Sequence, residues 1–161
     1  MISPDEFRRA CGLWATGVSV VTTANKNGNP FGLTMNAVSS LSLDPPMFLV
    51  CVDNGSDTMV AMLESRVFCI NVLTGSQTEI SNKFAKKGQD KFESINWRPG
   101  NIGAPVIGEA LLSVECRIAE IFTGGDHKIM AGEVAELHKN DSPDAEPLLY
   151  YGGGYRALRD A

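Results

Sequence analysis

The chain has 161 residues, of which 43% are hydrophobic, and its formal net charge is -5. A chain of this length can bury a full core without metals or disulfides, so we expect one domain over residues 1–161. The acidic balance argues against a nucleic-acid partner. No apolar run approaches the roughly 20 residues of a membrane span, and the N-terminus lacks the apolar core of a secretory signal. We therefore expect a cytoplasmic protein with no membrane partner.

The first predicted element is a helix at the N-terminus. Ser3, Pro4 and Glu6 form a capping box with proline at the first helical position. Apolar residues then recur at positions i, i+3, i+4 and i+7, namely Phe7, Ala10, Cys11 and Trp14. This spacing predicts an amphipathic helix that lays its apolar stripe on the body of the protein and ends near Gly17.

Strands are predicted next along the chain. Residues 18–24, the turn sequence NKNG and a strand from Phe31 indicate a hairpin. Residues 47–53 and 67–73 are near-continuous apolar runs, as in strands that are buried on both faces. Between them, Ser56 or Asp57 can cap a short helix.

The second half of the chain continues this pattern. A capping box from Thr74 to Gln77 predicts a helix through about residue 85. Residues 112–118 alternate between apolar and polar side chains, and further strands are expected at 129–137 and 148–151. About six or seven strands, few helices and no regular βαβ alternation predict a mainly antiparallel sheet that closes into a small barrel.

The four cysteines are widely spaced among aliphatic residues. They are Cys11, Cys51, Cys69 and Cys116. The chain has only two histidines and no C-x-x-C motif with which to complete a metal shell. We therefore predict reduced cysteines in the core and no metal site.

Residues 32–46, GLTMNAVSSLSLDPP, place many hydroxyl groups and an asparagine on one strand. Such a strand can simply have a polar outer face, or it can bind a ligand. The two prolines end the strand near the hydroxyl cluster, because proline cannot donate to the sheet ladder. The composition alone leaves both interpretations open.

Three further features also have two interpretations. Ser56 and Thr58 lie at a helix start, where they can cap the helix or bind an anion. Lys83 begins a basic helical face that can be solvated or can supply a cation to a phosphate. His127, in the sequence GGDH, can be structural or catalytic. The phosphate-binding loop, the dinucleotide fingerprint and the hydrolase elbow are absent. The residues alone therefore indicate a hydroxyl-rich pocket for a flat, phosphorylated ligand.

Several motifs, in order and spacing, carry a family resemblance. They are LWATGVSVVTT, GLTMNAVSSLSLDPP, FLVCVDNGSDT, FCINVL followed by Q and KFA, LLSVECRI, GGDHKIMAGEV and PLLYYGGGY. From about residue 7 to residue 156, the chain resembles the flavin reductase-like family, the small reductase components of two-component flavin-dependent monooxygenases.

The resemblance implies a mainly β fold, an antiparallel Greek-key split β-barrel with a few peripheral helices, assembled as a homodimer. It implies an NAD(P)H:flavin oxidoreductase that uses NADH or NADPH to reduce FMN or FAD. The reduced flavin would then diffuse to a partner monooxygenase.

The resemblance also implies a set of site residues. Thr34, Met35, Asn36 and Ala37 would run along the isoalloxazine ring, with Ser39 and Ser40 near the ribityl or phosphate end. Many members carry Ser or Cys where this chain has Ala37. Cys51, Val52, Asp53, Asn54, Ser56 and Thr58 would form the second flavin-binding segment, and Ser81, Lys83 and Phe84 the third, on the phosphate side. His127 would face the nicotinamide as the catalytic residue, and Tyr150 or Tyr155 would border the pocket.

Two alternatives to a reductase of diffusing flavin remain at this point. One is a split-barrel flavoprotein that binds its flavin tightly and acts on its own substrate. The other is a non-catalytic flavin-binding protein.

Overall fold

The computed structural model describes residues 1–88, 90–142 and 144–159. In chain order the elements are α1 (Pro4–Cys11), β1 (Thr16–Gly17), β2 (Ser19–Ala24), β3 (Pro30–Met35), β4 (Val38–Leu43), β5 (Pro46–Asp53), α2 (Asp57–Ser65), β6 (Val67–Val72), a 3₁₀ turn (Gly75–Gln77), α3 (Thr78–Ala85), β7 (Trp97–Pro99), β8 (Pro105–Ile107), β9 (Leu112–Gly124), β10 (His127–Lys139), β11 (Leu149–Tyr151) and β12 (Gly154–Arg156). The prediction of one domain over residues 1–161 extends beyond these residues and stays a prediction.

The main sheet has seven strands in the order β3-β2-β6-β9-β10-β5-β4, and every neighbouring pair is antiparallel. A single apolar cluster collects buried side chains from six of these strands and from α2, and Val38 of β4 packs against it. A flat sheet could not bring its central strands and both its edges to one cluster, so the sheet curls around its core. The predicted mainly β, antiparallel barrel with few helices is confirmed.

The predicted local signals form the expected elements. β2 and β3 form the hairpin, and Gly28 in its turn has a positive φ of 81° that favours glycine. Ser56 is the N-cap of α2. The Thr74 N–H donates to the Gln77 side chain at 3.0 Å, which forms half of the predicted capping box before α3. Local hydrogen bonding therefore sets these boundaries.

A hairpin of β7 and β8 packs on the outer face of the sheet, against β2 and β6, and its turn donates backbone N–H groups to Glu115 of β9. Ser113 and Glu115, on the polar face of β9, are both buried. Asn71 of β6 is also buried, and its side chain accepts from the Ile107 N–H and from the Ser113 hydroxyl, each at 2.9 Å. Polar side chains therefore hold this hairpin on the sheet. By contrast, β5 is buried on one face, whereas Met47, Leu49 and Cys51 on its other face are half-buried, so the predicted burial on both faces is only partly met.

The predicted packing of α1 is wrong. The helix ends at Cys11 and buries no residue, and Trp14, which follows it, is 76% exposed. The second apolar cluster of the barrel is packed by two aromatic residues near the C-terminus, Tyr150 and Tyr155, and not by residues of α1. Periodicity predicts an apolar stripe, but it does not identify the surface that covers it.

The four cysteines differ in how deeply they are buried. Cys69 and Cys116 are buried in the core as predicted, whereas Cys51 is half-buried and Cys11 is exposed, because α1 does not pack on the body. Among the helices in the described ranges, none has the length and apolarity needed to cross a bilayer.

Candidate functional site

Strand β3, helix α3 and strand β12 meet at Ser81. The Thr34 hydroxyl of β3 donates to the Ser81 carbonyl of α3 at 2.6 Å. The Tyr155 hydroxyl of β12 lies 2.8 Å from the Ser81 hydroxyl oxygen, and Ser81 itself is fully buried. These contacts join three of the predicted site residues, and they orient Ser81 from both its backbone and its side chain.

A lysine that the sequence analysis did not select lies at the same junction. The Lys91 ammonium donates to the carbonyl of Gly32 in β3 at 3.1 Å and to the carbonyl of Phe84 in α3 at 3.3 Å. Burial lowers the pKa of Lys91, and the negative charge of Asp57, in the first turn of α2, acts against that shift. One partly buried cation thus links β3 and α3, and the charge of Asp57 in α2 affects its pKa.

Close packing leaves room only for a glycine at position 32. A Cβ at this position would lie 2.8 Å from Cε1 of Phe84, closer than side-chain carbons approach one another. The Phe84 ring is buried and packs edge-on against Phe92, with 4.9 Å between ring centroids. The glycine therefore lets α3 approach β3 closely enough for the carbonyls of Gly32 and Phe84 to share one ammonium group.

The start of α2 supplies hydroxyl groups. Within the described part of the chain, the Ser56 hydroxyl makes no capping bond to α2, although Ser56 is the N-cap residue. Thr58 is buried in the first turn of the helix. Backbone N–H groups are unpaired at a helix start, and the helix dipole is positive there. Together with Lys91, this donor set suits an anionic phosphoryl group.

A second group of predicted residues lies along β5 and β10. The Cys51 N–H donates to the Ala37 carbonyl at 3.0 Å. Asp53 pairs with His127 in the strand register, and the Asn54 N–H donates to the Asp126 carbonyl at 3.0 Å. The β9–β10 turn therefore packs against the end of β5. Asp53, at this end, is two residues after Cys51, which contacts Ala37.

Asp126 orients His127. Its carboxylate oxygen lies 2.7 Å from Nδ1 of the imidazole. Because a carboxylate only accepts hydrogen bonds, the proton must be on Nδ1, which leaves Nε2 available to a ligand. The hydrogen bond and the charge of His127 lower the pKa of Asp126. Asp126 is a second residue that the sequence analysis did not select.

Some predicted site residues have buried side chains. Val52 and Met35 belong to the main apolar cluster, and Phe84 belongs to the second one. Their side chains lie in the core and do not face solvent, so only their backbones can contact a ligand. Burial also raises the pKa of the Cys51 thiol, which keeps it protonated, and therefore a poor nucleophile, at neutral pH.

The remaining predicted residues make contacts of their own in the described chain. Ser39 and Ser40 pair with Leu49 and Phe48, so β4 runs back along β5, away from Asp53. The Lys83 ammonium donates to the carbonyl of Glu93 in the segment that follows α3. Asn36 and Ala37 are exposed between β3 and β4. Tyr150 packs on Tyr155 with 5.8 Å between ring centroids. The binding roles of all these residues stay predictions.

Comparison with known proteins identifies the family. The family model for the flavin reductase like domain matches residues 11–159. The chain belongs to the flavin reductase-like family. It is 37% identical over 157 residues to the reductase subunit HsaB of a flavin-dependent monooxygenase from Mycobacterium tuberculosis, covering 98% of this chain and 83% of that protein. It is also 37% identical over 158 residues to the flavin reductase (NADH) of Kitasatospora aureofaciens, covering 96% and 82% of the two chains.

A solved structure shares the fold of this flavin reductase-like chain. The NADH:FAD oxidoreductase SgcE6 of Streptomyces globisporus C-1027 superposes with a TM-score of 0.91 at 32% identity, covering 99% of this chain and 98% of that one. The same protein has been solved in complex with NAD and FAD fragments, and that structure superposes with a TM-score of 0.90. The split-barrel fold implied by the motifs is therefore confirmed.

Sequence reasoning missed Lys91 and Asp126 for different reasons. Lys91 lies between α3 and β7, where no periodic pattern indicates which way a side chain points. Asp126 is next to His127 in the motif GGDH, so adjacency to a candidate histidine could have identified it. In this flavin reductase-like chain, the two hydrogen bonds of Lys91 form only in the folded backbone, whereas Asp126 contacts its neighbour in the sequence.

Proposed function

We propose that this protein is an NADH-dependent flavin reductase that transfers hydride from the nicotinamide to FMN or FAD and releases the reduced flavin to a separate monooxygenase. The observation that carries the proposal is the meeting of β3 and α3 at the Lys91 ammonium, which donates to a carbonyl of each and is close enough to Asp57 of α2 for that charge to affect the pKa of Lys91. This junction offers one cation and several hydroxyl groups to the phosphoryl end of a flavin. His127 pairs with Asp53 in the strand register, beside the second group of predicted residues.

When bound, the flavin supplies a ring nitrogen that accepts hydride from C4 of the nicotinamide. The backbone from Thr34 to Ala37 would lie along the ring, with the Cys51 to Asn54 segment beside it. Ser56, Thr58 and Ser81 would face the phosphoryl end. Nε2 of His127, oriented by Asp126, would hydrogen-bond the nicotinamide and orient it.

Positioning is sufficient for this reaction. Hydride transfer between two stacked rings needs no protein nucleophile, only a near-attack arrangement in a partly dry pocket. The protonated Cys51 thiol and the small Ala37 fit this requirement, because neither provides a competing nucleophile or bulk against the ring. Two relatives support the choice of NADH, since one is named a flavin reductase (NADH) and the other an NADH:FAD oxidoreductase.

Steady-state NADH oxidation tests the proposal. The purified protein is mixed with NADH or NADPH and with excess FMN, FAD or riboflavin, and absorbance at the nicotinamide band is followed. We expect turnover that rises with added flavin and is faster with NADH. Turnover that needs only an organic substrate would instead indicate a flavoprotein with tightly bound flavin. Flavin binding without turnover would indicate a non-catalytic binding protein.

We further propose a homodimer. Three apolar side chains on and just after α1 are exposed, those of Phe7, Leu13 and Trp14. A second copy of the chain would cover them and remove this surface from water. Light scattering coupled to size exclusion should give twice the chain mass for the wild type and less for Trp14→Ser. A monomeric wild type would contradict the dimer without affecting the reductase proposal.

The partner monooxygenase need not bind the reductase, because reduced flavin can diffuse between them. The similarity to HsaB, a reductase subunit of a flavin-dependent monooxygenase, supports such a partner. The four free thiols are those of a protein from a reducing compartment, which supports a cytoplasmic location.

A further inference from the structure

We infer that Lys91 is the cation that binds the phosphoryl group of the flavin and thereby sets the preference for phosphorylated flavins over riboflavin. The inference deepens the proposed function and rests on it. It assigns the role that the basic helical face suggested for Lys83 to a residue outside that helix.

The hydrogen bonding of the ammonium group leaves room for a ligand. A lysine ammonium has three N–H donors. Two of them are used by the carbonyls of Gly32 and Phe84, at 3.1 and 3.3 Å. One donor therefore remains for a further acceptor, and a phosphate oxygen is the strongest acceptor that a flavin offers.

The same two carbonyls hold the amine in place. Gly32 belongs to β3, and Phe84 lies in the last turn of α3, where helix carbonyls attract cations. Two anchors from separate elements fix a side chain that would otherwise be mobile, so little side-chain freedom remains to be lost when a ligand binds. Lys83 lacks this arrangement, because its ammonium donates to the Glu93 carbonyl on the segment that follows α3.

Lys91 is a positive group at the junction, and the Asp57 carboxylate is a negative group near it. Lys91 is partly buried, and desolvation of its charge lowers its pKa, while Asp57 of α2 acts in the opposite direction. A phosphoryl group at the junction would add negative charge beside the cation and oppose that desolvation. The hydroxyl of Ser56, which makes no capping bond to α2 in the described residues, would donate to a phosphate oxygen.

A purely structural role makes a different prediction. If Lys91 only fastens its own segment to β3 and α3, its removal should loosen the site for every flavin alike. Riboflavin distinguishes the two roles, because it has the ring and the ribityl chain of FMN but no phosphate.

The test compares lysine-to-methionine variants, which keep the apolar stem and remove the charge. Dissociation constants for FMN and riboflavin are measured by flavin fluorescence for the wild type, Lys91→Met, Lys83→Met and Lys87→Met. Lys87 is exposed and serves as the matched control. For Lys91→Met we expect FMN affinity to fall about tenfold or more and riboflavin affinity by less than about twofold. Lys91→Arg should retain most of the FMN preference.

Equal losses for FMN and riboflavin in Lys91→Met would overturn the inference, as would a phosphate-selective loss in Lys83→Met alone. A wild type that binds FMN and riboflavin equally well would overturn it while leaving the proposed function standing. A wild type that binds neither flavin would overturn both.

A second measurement uses the wild type alone, in case Lys91→Met does not fold. Lysines are acetylated in the absence of flavin, with FMN or with riboflavin, and the rate at each lysine is read by mass spectrometry. We expect FMN to slow acetylation of Lys91 several-fold, riboflavin to leave it nearly unchanged, and Lys87 to respond to neither. Equal protection of Lys91 by both flavins, or no protection, would overturn the inference.

Discussion

Replacing Glu115 by glutamine should destabilise the fold without altering its shape. The carboxylate is fully buried and accepts three hydrogen bonds. One comes from Nε2 of His138 at 2.7 Å, and the others come from the backbone N–H groups of Asn101 and Ile102 at 3.0 and 2.9 Å. A glutamine keeps one acceptor oxygen and presents an NH₂ group where the other oxygen was, so at least one donor loses its partner.

The expected loss follows from these contacts. One lost hydrogen bond to a charged acceptor costs about 1.5–3 kcal/mol, and the remaining two weaken once the acceptor is neutral, so we expect a total near 3 kcal/mol at pH 7. For a chain of this size that corresponds to a fall in Tm of about 6–12 °C. Urea unfolding at pH 7 measures the free energy directly, and differential scanning calorimetry measures Tm.

The pH dependence gives a second check. Burial acts to raise the pKa of Glu115, but the hydrogen bonds from His138, Ile102 and Asn101 outweigh it, so the pKa is lowered in the folded protein. The unfolded chain then binds more protons than the folded one around this pKa. The carboxylate therefore contributes its full stability above its unfolded pKa of about 4.3, and the contribution is lost as the pH falls through the folded value. The difference between wild type and Glu115→Gln should shrink below about pH 4.

The matched control is Glu136→Gln. Glu136 pairs with Glu115 across the sheet but is exposed, so its replacement should change the unfolding free energy by less than about 0.5 kcal/mol. Equal stability of Glu115→Gln and wild type at pH 7, or a loss of the same size at pH 7 and pH 3.5, would refute the role given to the buried carboxylate.

Other predictions address the site and the core. His127→Ala should slow hydride transfer to bound flavin about tenfold, the worth of one hydrogen bond, while flavin affinity stays nearly intact; an unchanged rate in stopped flow would contradict this. Gly132→Ala should cost about 1–3 kcal/mol in urea unfolding, because the added Cβ would lie 2.7 Å from Cε1 of Phe68; wild-type stability would show that the core can yield there. Asn71→Ala should lower the unfolding free energy by about 2–3 kcal/mol in the same assay, since the buried Ile107 N–H loses its acceptor. A loss below about 0.5 kcal/mol would contradict the view that Asn71 holds the β7–β8 hairpin on the sheet.

Much of the fold could be predicted because its signals are local. The β2–β3 hairpin, the N-cap of α2 and the capping box at Thr74 depend on residues a few positions apart, and the structure has each of them. The alternating apolar residues of β9 likewise predicted one core-facing side. The pattern did not indicate that Glu115, on the other side, is buried as well, because that burial comes from a hairpin that packs over the strand.

The candidate site shows the same division. The motifs selected Ser81 and His127, and the structure gives each a defined environment, Ser81 between Thr34 and Tyr155 and His127 against Asp126. Lys91 was missed because its importance depends on two carbonyls, those of Gly32 and Phe84, that approach one another only in the folded chain.

The sequence by itself determined the positions of the main helices and strands and the family, because capping, turn and periodicity signals depend on neighbouring residues and the motifs keep their order along the chain. Only the tertiary structure decided which side of α1 is left uncovered, which polar side chains are buried beneath the β7–β8 hairpin and which lysine is held at the candidate phosphate site. Those outcomes depend on contacts between residues far apart in the chain, and a linear pattern does not specify such contacts.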